Sequence, residues 1–432
     1  MEYIYTSISY LKGKVHDPGV QKHTKNLGWM FFAKIASMVI AFLATAYIAR
    51  SLGPRNYGEL SYAISFVGLF SFLSSLGVEQ ILYRDTIQYP EKRNVYLGSA
   101  IGIKIIASIA TGLLCFGTAL VISPKDVSLF LIGLLSLTFV CSSFSLLSME
   151  FQAEAKSKYP SIFSVAVVII LNLLKIVIIF YDKGVIYLAG IILLEPILYS
   201  CMYMYLRSKH YGPLRNLRFD KDIALKLLKD SYPLIFASAF FMIYARIDQV
   251  MIKNMMSAEY VGLYDAAVRM SEISYFIPNI IVAALFPAII NAKKISEIIY
   301  FKRIKKLLLT LLLVSTGIAL ITTLLSTYLT LIIFGSKFLA SVPILKIYVW
   351  SNIGTALNML IQQVLISENL TKNISFTIFL GMATNVILNL LLIPRLGMSG
   401  AALASLISYM IPFVSLYMFK KTRVLLITIA NH

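Results

Sequence analysis

The chain has 432 residues, 59% of them hydrophobic and only 14% charged, whereas a soluble globular domain is nearer half apolar and a quarter charged. Its 39 Lys and Arg against 20 Asp and Glu give a formal net charge of +19. These values exclude an ordinary soluble domain. They also exclude a nucleic-acid partner, because the basic residues are scattered between apolar runs rather than gathered on one face. Cys115, Cys141 and Cys201 fall inside apolar segments and read as small hydrophobes. The four histidines lie in terminal or loop stretches, so neither a disulfide framework nor a metal site is expected, and no cofactor.

Residues 1–28 are polar and lack the apolar core of a signal peptide, so no cleaved signal is expected and they read as an N-terminal segment whose side the basic-residue count below sets. Twelve apolar runs follow, each of the roughly 20 residues needed to cross about 30 Å of hydrocarbon. Six are 29–49, 60–83, 97–122, 127–149, 161–180 and 185–206; six more are 232–252, 261–290, 307–333, 341–366, 375–393 and 397–419. They are too long and too uniformly apolar for barrel strands, so an all-α integral membrane protein with twelve transmembrane helices is predicted. With the N-terminus inside, 26 Lys and Arg fall on the cytoplasmic side and 7 outside, which places both termini and the linker 207–231 in the cytoplasm. The outer loops are too short to hold a domain. In the linker, Asp220–Asp230 puts Ile223, Leu227 and Leu228 on one helical face, as in a short amphipathic helix on the inner membrane surface. Asp220 and Asp222 match the DxD pattern of metal-binding glycosyltransferases, but an Asp near a helix start is ordinary capping.

Two echoes divide the chain. Leu52–Ala63 (LGPRNYGELSYA) and Met256–Ala267 (MSAEYVGLYDAA) align at an offset of 204 residues, so that Gly58 meets Gly262 and Ala63 meets Ala267. Further on, Asn172-Leu173-Leu174 before Gly184 and Gly190 is echoed by Asn389-Leu390-Leu391 before Gly397 and Gly400. Two homologous halves follow, a bundle over 29–206 and another over 232–419, with a tail at 420–432. The first motif opens on Gly53 and Pro54, with Tyr57 and Gly58 behind them, and is read either as a tight connection or as a hinge.

The second motif belongs to the most informative stretch, Tyr244–Glu272, which carries Arg246, Asp248, Asp265, Arg269 and Glu272 at bilayer depth. Ionisable groups there are costly and mark functional sites by default. At about 1.5 Å per residue, Arg246 lies roughly 21 Å above the inner edge and Arg269 roughly 12 Å below the outer edge, nearly level on consecutive antiparallel helices. Asp265, Arg269 and Glu272 share one helix face. They are either a self-satisfied ion-pair ladder, with Arg246 pairing Asp248, or a polar stripe lining a cavity. Lys34 and Lys104, about 8–10 Å from the inner edge, are divided between snorkelling and cavity lining. Glu195 stands beside Pro196 near mid-depth. With Asp248, Asp265 and Glu272 it completes the candidates for ion coupling. Gln249, Asn352, Asn358 and Asn385 read as interhelical hydrogen bonds.

Three stretches carry a family resemblance: ARSLGPRNYGELSYA after the first run, DQVMI with VGLYDAA around the seventh and eighth, and LNLLLIPRLGMSGAALAS around the last two. They resemble the signature of Wzx-type polysaccharide flippases, within the superfamily of MATE exporters and MurJ-type lipid II flippases. The resemblance spans roughly residues 25–420. It implies two six-helix bundles in a V, with a cavity opening alternately to each side of the bacterial inner membrane. It implies an undecaprenyl-pyrophosphate oligosaccharide as substrate, moved from the cytoplasmic to the periplasmic leaflet, with membrane lipid around it. Coupling to H+ or Na+ follows from it, as do contacts with a polysaccharide polymerase and a chain-length regulator. No GxxxxGK[ST] phosphate loop occurs in the sequence, which agrees with ion coupling rather than ATP. Arg246 and Arg269 then become the candidates for the pyrophosphate, since a planar guanidinium gives paired, charge-assisted hydrogen bonds. The alternatives are a MATE-like ion-coupled exporter of cationic small molecules, an O-antigen polymerase or ligase, which the short outer loops disfavour, and an assembly protein. The expectation is a transporter, not an enzyme.

The orientation is testable by C-terminal fusions to a protein that fluoresces only in the cytoplasm. Fusions at His432 and near Lys221 are expected to be bright, and those near Lys125 and Lys337 dark; a bright fusion at either of the last two reverses the orientation.

Overall fold

A computed structural model describes residues 18–431 except 123–125, 155 and 157, and side-chain surroundings from residue 35 onward apart from 371 and 372 as well. Residues 1–17 of the N-terminal segment and the side-chain surroundings of Lys34 lie outside what is described. Among the described residues there is no strand. In chain order the helices are α1 (Pro18–Ser75), α2 (Val78–Gln88), α3 (Arg93–Ile122), α4 (Val127–Ser136), α5 (Thr138–Cys141), α6 (Ser148–Ala153), α7 (Lys158–Phe180) and α8 (Val185–His210). There follow α9 (Lys221–Met255), α10 (Ala258–Glu272), α11 (Phe276–Lys293), α12 (Glu297–Ile333), α13 (Val342–Tyr348), α14 (Ser351–Ser367), α15 (Thr371–Leu396), α16 (Met398–Ser415) and α17 (Lys420–Asn431).

The chain is a multi-pass membrane protein. Among the described residues ten helical stretches are long and apolar enough to cross a bilayer, or eleven with the pair around α13 and α14, bent by 47°. The first stretch, Ile35–Gln88, is 54 residues long, far more than one crossing needs. It is interrupted at Gly53, whose φ of 73° and ψ of 169° leave the helix, with Pro54 opening the next one, and again at Leu76 and Gly77 before α2. A backbone that leaves the helix at a single residue with positive φ favours glycine, and proline suits the first turn that follows. The first connection is thus one residue rather than a loop. With the bent pair as one crossing and one crossing on each side of Gly53, the described helices are consistent with the twelve expected. Large side chains such as Val121, Leu313 and Leu324 are three-quarters exposed or more, and such faces are what a bilayer covers.

Packing divides the chain into two compact units that do not follow chain order. The first comprises residues up to Ala44, then Leu73–Leu114 and Leu134–Pro233. Its core is built on Leu82, Leu97, Leu146, Leu147 and Leu227, all without exposure. The amphipathic segment after Asp220 is present, but it is the first turns of the 35-residue α9. Its apolar face, with Ala224 and Leu227, is covered by this protein core rather than by membrane. Arg218 and Phe219 lie directly on α3: a Cβ at Gly98 would come 2.4 Å from Arg218 O. Ser99 donates to Asp220 O (3.1 Å) and accepts from Asp220 N (2.9 Å). Asp220 Oδ1 accepts from Ile223 N at 2.9 Å, the capping role. A buried ion cluster anchors the same end. Glu150, with no exposure, lies 3.5 Å from Arg93 Nε and 3.2 Å from Arg207 Nε, and Arg207 also donates to Gly212 O and Asn94 Oδ1 at 2.8 and 2.6 Å.

The second unit comprises Thr45–Phe72, Cys115–Gly133 and Leu234–His432. The tail is the helix α17, which buries Leu426 and Ile429 and receives a bond from Lys305 Nζ at Ala430 O (2.7 Å). The two sequence motifs pack on each other in this unit. A Cβ at Gly58 would come 1.7 Å from Ala258 O, and one at Gly262 would come 2.0 Å from Pro54 O. Pro54 and Ala258 are themselves mates at the 204-residue offset. Each copy therefore presents the same glycine to the same carbonyl of the other, the reciprocity of a two-fold contact.

No side chain fits at either glycine without the backbones separating. Gly58→Ala and Gly262→Ala are each expected to destabilise the protein by about 1–3 kcal/mol or more, the usual range for overpacking, read as a lower unfolding midpoint in detergent. Gly317→Ala, where a Cβ meets nothing within 4 Å, is expected to be neutral or stabilising. Because the two glycines share one contact, the double variant should lose less than the sum. Midpoints unchanged at Gly58 and Gly262 would refute the contact.

Candidate functional site

The close approach of the two glycines brings the motif helices near enough for their side chains to meet. Asp265, 1% exposed on α10, accepts bonds from Tyr57 OH, Ser61 Oγ (3.0 Å), Gln249 Nε2 (2.8 Å) and Arg269 Nε (2.6 Å). Ser65 donates to Gln249 in turn. One carboxylate thus ties both copies of the motif to α9. Ser61 and Asp265 are mates at the repeat offset, so the two-fold relation runs through this bond. Arg269 is paired within its own helix at i,i+4, with its side chain 30% exposed.

Asp248 forms a second centre, fully separate in its partners. Its Oδ1 accepts from Asn389 Nδ2 (2.6 Å), and its Oδ2 accepts from Tyr264 OH (2.7 Å) and from Ser405. Asn389 also donates to Asn385 Oδ1 at 3.1 Å, while its own buried Oδ1 has no hydrogen-bond partner among the described residues. All the donors are neutral. A carboxylate in such a shell carries its charge without a countercharge, or holds a proton or a small cation.

The expected ladder is therefore only partly built. Asp265–Arg269 is an ion pair, but Glu272 makes none among the described residues, and Arg246 does not pair with Asp248. The reason is geometric: residues two apart on a helix point to different sides. Arg246 is half-buried, with no ion pair or hydrogen bond among the described residues. Its guanidinium acts on both Asp265 and Glu272 from a longer distance. Gly68, the repeat mate of Glu272, leaves room beside it: a Cβ there would lie 3.7 Å from Arg246 Cγ.

Two other sequence-selected residues, Lys104 and Glu195, belong to the first unit. Lys104, 5% exposed, is neither free nor snorkelling; it pairs with Glu79 (3.2 Å) and donates to Ser145 (3.3 Å) in the first unit. Glu195 is in the same unit, half-buried one turn before Tyr199. Gln249, Asn352, Asn358 and Asn385 do make interhelical bonds, Asn358 to Tyr409 O at 2.9 Å and Asn352 to Ser271 and Ser274. Sequence reasoning missed Tyr57 and Ser61 as ligands of Asp265, and Asn389 and Ser405 as ligands of Asp248. It also missed an ion cluster in which Lys253 Nζ holds Glu59 (2.7 Å) and Asp126 (3.2 Å). Burial opposes the charge on Asp126, yet the bonds from Ser128 and Lys253 hold its carboxyl below the usual range. The repeat offset was the available signal for Ser61, since it maps that residue onto Asp265.

Known proteins place this geometry in context. A family model described as polysaccharide biosynthesis protein matches residues 23–293. The capsular polysaccharide biosynthesis protein CapF of Staphylococcus aureus is 21% identical over 405 residues, 92% of this chain and 99% of that protein. Among solved structures, an inward-facing multidrug resistance MATE family transporter of the MOP superfamily aligns with a TM-score of 0.72 at 12% identity, over 91% of this chain and 96% of that one. The lipid II flippase MurJ in an inward closed conformation aligns with a TM-score of 0.68 at 16% identity, over 91% and 87%. The fold is the one these two transporters share, as expected from the sequence motifs.

The ligand set of Asp265 predicts an asymmetry between its partners. Asp265→Ala strands a guanidinium and three neutral donors, and should cost about 3–5 kcal/mol, as for a broken buried pair. Arg269→Ala leaves the carboxylate with three donors, and should cost only about 1.5–3 kcal/mol, the range for a hydrogen bond to a charged group. Unfolding midpoints in detergent will rank them. Equal losses would mean that the neutral donors do not carry the carboxylate.

Proposed function

The chain belongs to the polysaccharide biosynthesis protein family, and from that premise we propose that it is a flippase of the bacterial inner membrane with both termini cytoplasmic. Its substrate is an undecaprenyl-pyrophosphate-linked oligosaccharide repeat unit, moved from the cytoplasmic to the periplasmic leaflet by alternating access and driven by H+ or Na+. A polymerase and a chain-length regulator receive the product. The lipid tail can stay in the bilayer throughout, while the pyrophosphate and sugars need a polar path and a cation that is not already spent.

The observation that carries this reading is Arg246. Arg269 is committed to Asp265 and Lys104 to Glu79, whereas Arg246 has no ion-pair partner among the described residues. An arginine held at bilayer depth without a close countercharge is costly, and a passing pyrophosphate supplies the missing anion through paired charge-assisted bonds. The two arginines thus divide: Arg246 binds substrate and Arg269 holds Asp265 in place. For ion coupling, Asp248 is favoured over Glu195, Asp265 and Glu272. Its shell contains no cation, and the unpartnered Asn389 Oδ1 beside it supplies a further oxygen. That same carboxylate is what favours the second reading, a MATE-like exporter of cationic small molecules.

Complementation of a deletion strain, scored as surface polysaccharide per membrane-inserted protein, separates these readings. Arg246→Ala is expected to insert normally and to lose at least tenfold in activity, with Arg246→Lys in between. The deletion strain should hold lipid-linked repeat units on the cytoplasmic side. Full activity of Arg246→Ala would remove that residue from the mechanism, and a deletion strain without trapped intermediates would favour the exporter.

A further inference from the structure

The end of the second unit that carries the tail is cationic and apolar at once. Along α12 the exposed side chains of Lys302, Lys306, Leu309 and Leu313 follow one another at intervals of four, three and four residues, the spacing of a single helix face. Leu309 is about half exposed and Leu313 three-quarters exposed, so this is a face that hydrocarbon covers. Lys302 and Lys306 therefore stand on the lipid-facing stripe itself, at the level where its apolar part ends. Neither makes an ion pair among the described residues. The one acid between Lys293 and Leu307 is Glu297. Lys305, by contrast, is taken up by the tail, donating to Ala430 O at 2.7 Å.

The tail helix α17 has the same double character. Thr422, Leu426 and Ile429 are buried on one face, and Ile429 shares a core with Tyr300 and Ile304 of α12. Lys420, Val424 and Ile427 form the opposite face, and the last two are each about half exposed. Lys420, Lys421 and Arg423 crowd one turn, none of them in an ion pair among the described residues, and no acid occurs between Leu416 and His432. At about 1.5 Å per residue, α17 carries these cations roughly 18 Å from the end that Lys305 holds. Water would leave Val424 and Ile427 uncovered, together with the exposed Ile298 one turn before Lys302. Hydrocarbon would strand five cations. The headgroup layer of a bilayer satisfies both kinds of side chain at one depth.

We propose that this surface binds anionic phospholipid. Lys302 and Lys306 hold headgroup phosphates where α12 leaves the hydrocarbon. The tail helix lies on the headgroups, with Lys420, Lys421 and Arg423 on the phosphates and Val424 and Ile427 dipped below them. The partner is a lipid surface rather than a soluble anion, because Leu309 and Leu313 continue the stripe on which the lysines stand. An anionic surface then holds α17 against the unit from outside, as Leu426 and Ile429 hold it from within. Each Lys or Arg near such a surface adds about fivefold in affinity, so five of them make a clear preference for anionic over zwitterionic lipid. The inference is independent of what the protein transports.

The test is native mass spectrometry of the full chain in neutral detergent with equal amounts of phosphatidylglycerol and phosphatidylcholine. The unaltered protein is expected to retain phosphatidylglycerol at least tenfold better. The pair Lys302→Gln and Lys306→Gln, and separately the triple Lys420→Gln, Lys421→Gln and Arg423→Gln, should each cut that preference at least fivefold. Lys302→Arg with Lys306→Arg should keep it, as should Lys337→Gln, which removes an exposed lysine beyond the other end of α12. Unfolding midpoints in neutral detergent should match that of the unaltered protein throughout. Equal retention of the two lipids overturns the proposal, and so does a preference unchanged in either set of glutamine variants. An equal loss in Lys337→Gln would reduce the effect to net charge and overturn it too. Displacement of phosphatidylglycerol by millimolar inorganic phosphate would make this a site for a soluble anion instead.

Discussion

The contact between Gly58 and Gly262 is the constraint on which the second unit depends. Helices in a bilayer gain nothing from hiding apolar surface from lipid, so they associate through close packing and polar bonds. Here both come from the same few residues. The glycines let two backbones meet at distances no side chain permits, and that approach delivers Tyr57 and Ser61 to Asp265. Moving the helices apart by the width of one methyl group would break those bonds and leave a carboxylate buried with fewer donors. Packing and polar satisfaction are thus a single requirement at this point.

The saturation of Asp265 decides what the remaining charges can do. Arg269 Nε and three neutral donors satisfy it, so this carboxylate is bonded from four sides. Among the described residues Arg246 and Glu272 make no ion pair, and Asp248 sits among neutral donors. A membrane protein that needed only stability would pair or delete such groups. That none of the three makes an ion pair among the described residues, at the depth of the bilayer, is what makes them functional candidates.

Much of the fold was legible because bilayer depth and helix length are simple constraints. Apolar run lengths located the spans, and the 204-residue offset located the motif glycines before any contact was known. The remainder was hidden for identifiable reasons. Arg246 and Asp248 are close in sequence, but their spacing turns them apart. The first turns of α9 have the same amphipathic pattern whether lipid or protein covers the apolar face, and Ala224 and Leu227 prove to lie in a protein core. The two echoed asparagines could not be told apart by sequence. Asn172 bonds to Val168 O within its own helix, whereas Asn389 reaches Asp248. The pairing of Lys253 with Glu59 bridges 194 residues of sequence, so no local pattern announces it.

The repeat also explains why the charges of the site lie in one copy only. The offset maps Arg246, Asp248, Asp265, Arg269 and Glu272 onto Phe42, Ala44, Ser61, Ser65 and Gly68, none of them ionisable. At the position where the two copies meet, this asymmetry is forced. Ser61 Oγ lies 3.0 Å from Asp265 Oδ2, so an aspartate in both copies would place two carboxylates in contact at low dielectric, where only one could ionise. A two-fold scaffold therefore cannot keep a charged residue at its self-contacting position. One copy must become the donor, and serine, with a short hydroxyl that fits beside the glycine contact, meets that need. Once Asp265 was fixed in the second copy, its stabilising arginine belonged one turn further along the same helix. The neutral donors Tyr57 and Ser61 belonged to the first copy. The division of the repeat into a charged half and a donor half follows from the geometry of its own axis.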